Sequence, residues 1–153
     1  MSKPNLYAEL QRSLSALLAG ERDLIANLAN TAALLWQELP DINWVGFYFL
    51  KKDELVLGPF QGKPACVRIA LGKGVCGTAA LQRKTIIVPN VHEFDGHIAC
   101  DSASNSEIVV PLVKNGTLLG VLDIDSPTVA RFEKQDRAAL ESVVAIVLSA
   151  SAV

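Results

Sequence analysis

Three cysteines and two closely spaced aspartates are the side chains here with chemistry to offer. Cys66, Cys76 and Cys100 are the only cysteines of the chain. An odd number without close C-x-x-C pairs fits neither a disulfide framework nor a zinc ribbon. Any one of them can be a small buried hydrophobe. Cys100 has surroundings that argue for reactivity. It falls in the polar stretch 89–106, where a buried structural cysteine is less expected than on a core element. His97, if cationic, would stabilise a Cys100 thiolate, whereas the neighbouring Asp101 acts in the opposite sense.

Asp123 and Asp125 are two apart on the otherwise apolar run Leu118 to Ile124, so an extended strand points both to one face. Burying two like charges there costs several kcal/mol unless a cation meets them. The face is therefore either a solvated strand end or the wall of a pocket that takes up a ligand's ammonium group.

Two further patterns have competing readings. Gly72-Lys73-Gly74-Val75-Cys76-Gly77 matches the G-x-G-x-x-G of dinucleotide-binding turns. However, the chain opens with helical segments, and the strands after the motif form a hairpin rather than βαβ units. The motif then reads as a tight strand-to-helix turn with positive φ at its glycines, and it matters for where it holds Cys76. His92, His97 and Cys100 are close enough in sequence to suggest a metal, but three potential ligands in a polar loop suit the loop equally well. A cysteine–histidine nucleophile for acyl transfer is also conceivable, but it would leave Cys66 and Cys76 without a role.

The elements that must position these residues follow from periodicity. Leu6, Leu10, Leu14 and Leu17 recur at helical spacing over 5–19, with Gly20 as a stop. A second helix spans Arg22 to Leu39 and ends at Pro40-Asp41. Trp44 to Leu50 and Glu54 to Leu57 read as a hairpin around Lys51-Lys52-Asp53. Cys66 to Leu71 and Thr85 to Val88 are further strands, with a short helix from Thr78 to Gln82 between them. Ile108 to Val113 and Leu118 to Asp125 flank Asn115-Gly116, a strong two-residue hairpin signal. Arg131 to Ser149 returns to helix. Helices, an antiparallel run of strands and a closing helix make an α+β layered domain.

The chain has 153 residues, half of them hydrophobic, which predicts a single domain over 1–153 with one core. A formal charge of −2 with scattered basic residues argues against nucleic acid as a partner. The first residues lack the apolar core of a signal peptide, and no run approaches the roughly 18 apolar residues of a membrane span. The expectation is a cytoplasmic protein with no membrane partner.

The segments GPFQGKPACVRIALGKGVCGTAA, TIIVPNVHEFDGHIACDSASNSEIVVPL and GVLDIDSP together resemble the free methionine-(R)-sulfoxide reductases, a GAF-domain family. NWVGFYF and RFEKQDRAALE match it as well, so the resemblance runs over essentially the whole chain. It implies a GAF-type fold, with a central antiparallel sheet and N-terminal and C-terminal helices packed on it. It also implies reduction of the R epimer of free methionine sulfoxide without metal or organic cofactor. By the resemblance, Cys100 is the catalytic cysteine, Cys66 the preferred resolving cysteine and Cys76 a third pocket thiol that can also take part, so that either Cys66 or Cys76 condenses with Cys100. Glu107, Asp123 and Asp125 would hold substrate, Trp44 would wall its methyl group, and Glu107 would serve as the acid. Cys100 would pass through a sulfenic acid to an intramolecular disulfide, recycled by thioredoxin or a similar dithiol. A homodimer is implied too. The alternatives are a non-enzymatic GAF sensor of a small molecule and a pure interaction module.

One detail of the hairpin conflicts with these roles. With Asn115-Gly116 as a two-residue loop, Glu107 would face Ile124 and point away from both aspartates. A one-residue shift is required. The sequence offers a bulge at Pro111, a three-residue loop with Gly116 in a bulge, or a Glu107 that precedes the paired region.

Overall fold

The computed structural model describes residues 1–96 and 103–153. The first helix, α1 (Lys3–Leu18), starts where the Ser2 side chain accepts from the Asn5 amide at 3.3 Å, with Pro4 in its first turn. It buries Tyr7, Leu10, Leu14 and Leu18. The next, α2 (Leu24–Glu38), is capped by Asp23, which accepts from the Ala26 amide at 2.9 Å. Near the C-terminus, α4 (Lys134–Ala150) opens on a reciprocal pair, Glu133 and Asp136, each accepting from the other's end of the first turn.

Asp136 also ties α4 to α1. It is fully buried and accepts from Tyr7 Oη at 2.6 Å and Lys3 Nζ at 2.8 Å. Burial by itself would raise its pKa; the hydrogen bonds from Lys3 and Tyr7 outweigh that and hold the carboxyl below its ordinary range.

The strands are β1 (Trp44–Lys51), β2 (Glu54–Gly62), β3 (Arg68–Ala70), β4 (Ile86–Val88), β5 (Ser106–Lys114) and β6 (Thr117–Ser126). They form one antiparallel sheet in the order β3-β2-β1-β6-β5-β4. A helix, α3 (Gly74–Gln82), and a 3₁₀ turn at Val91–Glu93 separate the two halves of the chain's strand run. Relative to the sequence reading, β2 runs five residues longer, β3 is shorter, and α3 begins four residues earlier.

The two sheet faces bury different cores. Val45, Phe47, Ile108, Val110, Leu122 and Ile124 pack on the side of α1, α2 and α4. Tyr48, Val109 and Val121 pack on the other side with Val75, Ala79 and Ala80 of α3. This α+β architecture is the one expected from the sequence.

The hairpin resolves the conflict over Glu107 in a way the sequence reading did not foresee. Asn115 and Gly116 form the two-residue turn, both at positive φ (52° and 78°), and Lys114 pairs with Thr117. Val113 then pairs with Leu118, but Leu112 pairs with Gly120. Leu119 is therefore the extra residue of a β-bulge. The bulge lies in β6, neither at Pro111 nor in the turn. It also explains the packing, since Leu118 belongs to the α3-side core whereas Leu122 and Ile124 belong to the opposite one.

Candidate active site

Beyond the bulge, Glu107 pairs directly with Asp125, and Val109 pairs with Asp123. On the other side of β6, Asp125 pairs with Trp44 and Asp123 with Gly46. Directly paired residues share a face, so Trp44, Asp125 and Glu107 form one row across three strands. The face is that of α3. Here the sheet and the N-terminus of α3 form a small pocket that opens to solvent. Its walls include Trp44, Tyr48, Lys73, Gly74, Val75, Cys76, Ser104, Glu107, Asp123 and Asp125.

The glycine-rich turn places α3 as a strand-to-helix connection. Gly72 and Gly74 have φ of 81° and 61°. Gly77 serves differently from the expectation of positive φ. A Cβ there would lie 2.3 Å from the Ala70 carbonyl oxygen, so glycine permits the close packing of α3 on β3. The first turn of α3 has no side-chain cap. Lys73, Gly74, Val75 and Cys76 of this turn line the pocket, at the positive end of the helix dipole.

The carboxylates sit where charge is costly. Glu107 and Asp123 are each 6% exposed, and Asp125 is half-buried. Burial, and then the charges of Asp123 and Asp125, push the Glu107 carboxyl well above the ordinary glutamate range. Glu107 is thus favoured in its protonated form. Asp123 is raised by burial and lowered by hydrogen bonds with Glu107 and Cys76. Asp123 Oδ1 is buried with no hydrogen-bond partner.

Cys76 lies in α3, fully buried, and its thiol donates to Glu107 Oε2 at 3.9 Å. Burial and the surrounding carboxylates hold it in the thiol form. Cys66 is disulfide-bonded, and Cys76 carries a free thiol. Cys100 and His97 lie outside the described residues. Of the histidine–cysteine set considered for a metal, only His92 is described, and its Nε2 is 3.0 Å from Asn105 Oδ1. A different trio, Cys76, Glu107 and Asp123, brings one donor atom each within 4.8 Å of one another.

Trp44 is fixed from three sides. Its Nε1 donates to the Lys63 carbonyl at 3.1 Å, and its ring stacks on Phe60 at 5.3 Å and on Tyr48 at 6.0 Å. Tyr48 Oη donates in turn to the Cys66 carbonyl at 2.9 Å. Tyr48, Phe60, Ser104 and the α3 N-terminus were not singled out from sequence. Period-two spacing from Trp44 could have pointed to Tyr48, whereas Phe60 required knowing that it pairs with Gly46 across the β1–β2 ladder.

The fold and pocket together define an α+β domain with a carboxylate-lined pocket on one sheet face, and its family follows from comparison. A family model for the GAF domain matches residues 8–150. The free methionine-R-sulfoxide reductase of Escherichia coli strain K12 is 57% identical over 145 residues, 95% of this chain and 88% of that protein. The free methionine-R-sulfoxide reductase from Neisseria meningitidis, solved in complex with its substrate, superposes with a TM-score of 0.94 at 45% identity, covering 98% of this chain and 90% of that one. A putative GAF sensor protein from Burkholderia vietnamiensis superposes at 0.96 with 57% identity, covering 99% and 96%. The chain belongs to the GAF domain family and, within it, to the enzymes of the free methionine-R-sulfoxide reductase family.

Proposed function

We propose that this chain reduces free L-methionine-(R)-S-oxide to L-methionine. The observation that carries the reading is the opposition of two chemistries across one small pocket. Asp123 and Asp125 on β6 suit the ammonium of a free amino acid, and the unpartnered Asp123 Oδ1 supplies an acceptor for it. The uncapped first turn of α3 suits the α-carboxylate. A residue inside a polypeptide has neither charge, which favours the free amino acid. Trp44, held by Phe60 and Tyr48, is an apolar wall for the S-methyl group.

In this reading Glu107 protonates the sulfoxide oxygen as the Cys100 thiolate attacks sulfur. Methionine leaves, and the oxygen stays on Cys100 as a sulfenic acid. Cys66 then condenses with it, forming the S–S bond and releasing water. The engagement of Cys66 in a disulfide beside a free Cys76 supports Cys66 as the resolving thiol. A dithiol such as thioredoxin reduces the disulfide by exchange, returning both thiols. No metal or organic cofactor takes part in these steps. The working unit is a single domain over 1–153, homodimeric and cytoplasmic. None of the helices among the described residues is long and apolar enough to cross a membrane.

The test is methionine release from separated R and S epimers of free methionine sulfoxide with dithiothreitol as reductant. Turnover of the R epimer alone is expected. Turnover of neither, with thiols confirmed reduced, would overturn the reading in favour of a non-enzymatic small-molecule sensor.

A further inference from the structure

Cys76 is the one pocket thiol that the proposed chemistry does not consume, and its surroundings suit a different ligand. Its sulfur, a Glu107 oxygen and an Asp123 oxygen converge within 4.8 Å of one another. The sulfur-to-oxygen separation to Glu107 is 3.9 Å. Around a tetrahedral zinc-class ion, sulfur at about 2.3 Å and oxygen at about 2.0 Å would stand roughly 3.5 Å apart. The gap closes with small side-chain movements.

A second, independent feature points to a cation. Asp123 Oδ1 is buried and has no hydrogen-bond partner, although burying an unpaired acceptor is costly. Among the described residues no basic side chain pairs with Glu107 or Asp123. Lys63 and Lys73 border the pocket but are themselves exposed. One soft and two hard donors on rigid elements, α3, β5 and β6, select a borderline ion such as Zn²⁺ over Mg²⁺ or Ca²⁺.

We propose that Cys76, Glu107 and Asp123 form a divalent-metal site for an ion of the zinc class, and that such an ion blocks the pocket. The ion displaces the thiol proton of Cys76 and the carboxyl proton of Glu107, both of which pass to solvent, and a water completes its coordination. Bound there, it occupies the carboxylates assigned above to substrate. The blocking half of the proposal rests on that assignment; the binding half does not.

The experiment titrates Co²⁺ into the full chain, oxidised so that Cys76 is the free thiol and stripped of adventitious metal. One equivalent is expected to produce the visible bands of tetrahedral Co²⁺ and a near-ultraviolet sulfur-to-cobalt band. Cys76→Ser should abolish the sulfur band, and Asp123→Asn should weaken binding by on the order of tenfold or more. Circular dichroism checks that both variants fold, and either one suffices for the comparison. No sulfur band, or a band unchanged in the folded variants, would overturn the site. Free methionine-(R)-sulfoxide should then displace the ion, with the bands fading in proportion. Persistence of the bands at saturating methionine sulfoxide overturns the blocking role. If the epimer assay above fails while the bands appear, the assigned substrate is at fault and the metal site stands.

Discussion

Glu107 stands directly opposite Asp125 in the β5–β6 ladder because Leu119 is bulged out of β6 between them and the turn. Without that extra residue, Glu107 would oppose Ile124 and project into the helix-packed core. One bulged residue therefore places a third carboxyl beside two others, and burial, then the neighbouring charges, push it toward its protonated form.

Replacing that acid by its neutral isostere separates proton delivery from packing. Glu107→Gln should lower turnover of the R epimer by roughly a hundred- to ten-thousand-fold, with a smaller effect on KM. The same variant has a stability signature. A carboxyl with a raised folded pKa contributes stability below its unfolded pKa and loses it as pH rises through the folded value. The wild type should therefore lose more stability than Glu107→Gln as pH rises above the ordinary glutamate range, as read from urea midpoints. Parallel pH profiles would contradict the raised pKa.

Gly46 holds Trp44 in place by lacking a side chain. A Cβ there would lie 2.3 Å from Phe60 Cβ and 2.6 Å from the Trp44 ring. Gly46→Val should cost about 1–3 kcal/mol in stability, shift Trp44 fluorescence and raise KM for methionine sulfoxide. An unchanged KM in a folded variant would show that Trp44 does not wall the substrate.

The thiols should separate by step. Cys100→Ser is expected to release no methionine. Cys66→Ser should release the first methionine at the normal rate and then recycle slowly, because the sulfenic acid has lost its partner. Single-turnover methionine release, read against thiol titration, distinguishes the two. Full activity in Cys100→Ser would remove it as nucleophile.

Asp136 should set much of the acid stability. Its folded pKa is depressed, so its contribution is present above the unfolded value and is lost as pH falls through the folded one. Asp136→Asn should destabilise the protein by roughly 1–3 kcal/mol near neutral pH and flatten the loss on acidification. Urea midpoints at about pH 7 and about pH 3 check both. Activity per folded molecule should remain unchanged, since Asp136 lies on the opposite side of the sheet from the pocket.

The sequence by itself determined the α+β order of elements, the two-residue turn at Asn115-Gly116 and the common face of Asp123 and Asp125. Each is a local property: 3.6-residue periodicity, the φ > 0 demand of a tight turn, or the two-residue repeat of a strand. It also revealed that Glu107 needed a one-residue shift. Where that shift falls was decided by tertiary structure. Leu118 and Val121 must enter the α3-side core while Leu119, Leu122 and Ile124 face the helices, and β1 fixes Asp123 and Asp125 opposite Gly46 and Trp44. Register is a contest between non-local partners, and no local signal at Leu119 announces its outcome. The same holds for protonation. The sequence supplies the carboxyls and the thiol, but their burial on one face of the sheet makes Glu107 an acid and keeps Cys76 a thiol.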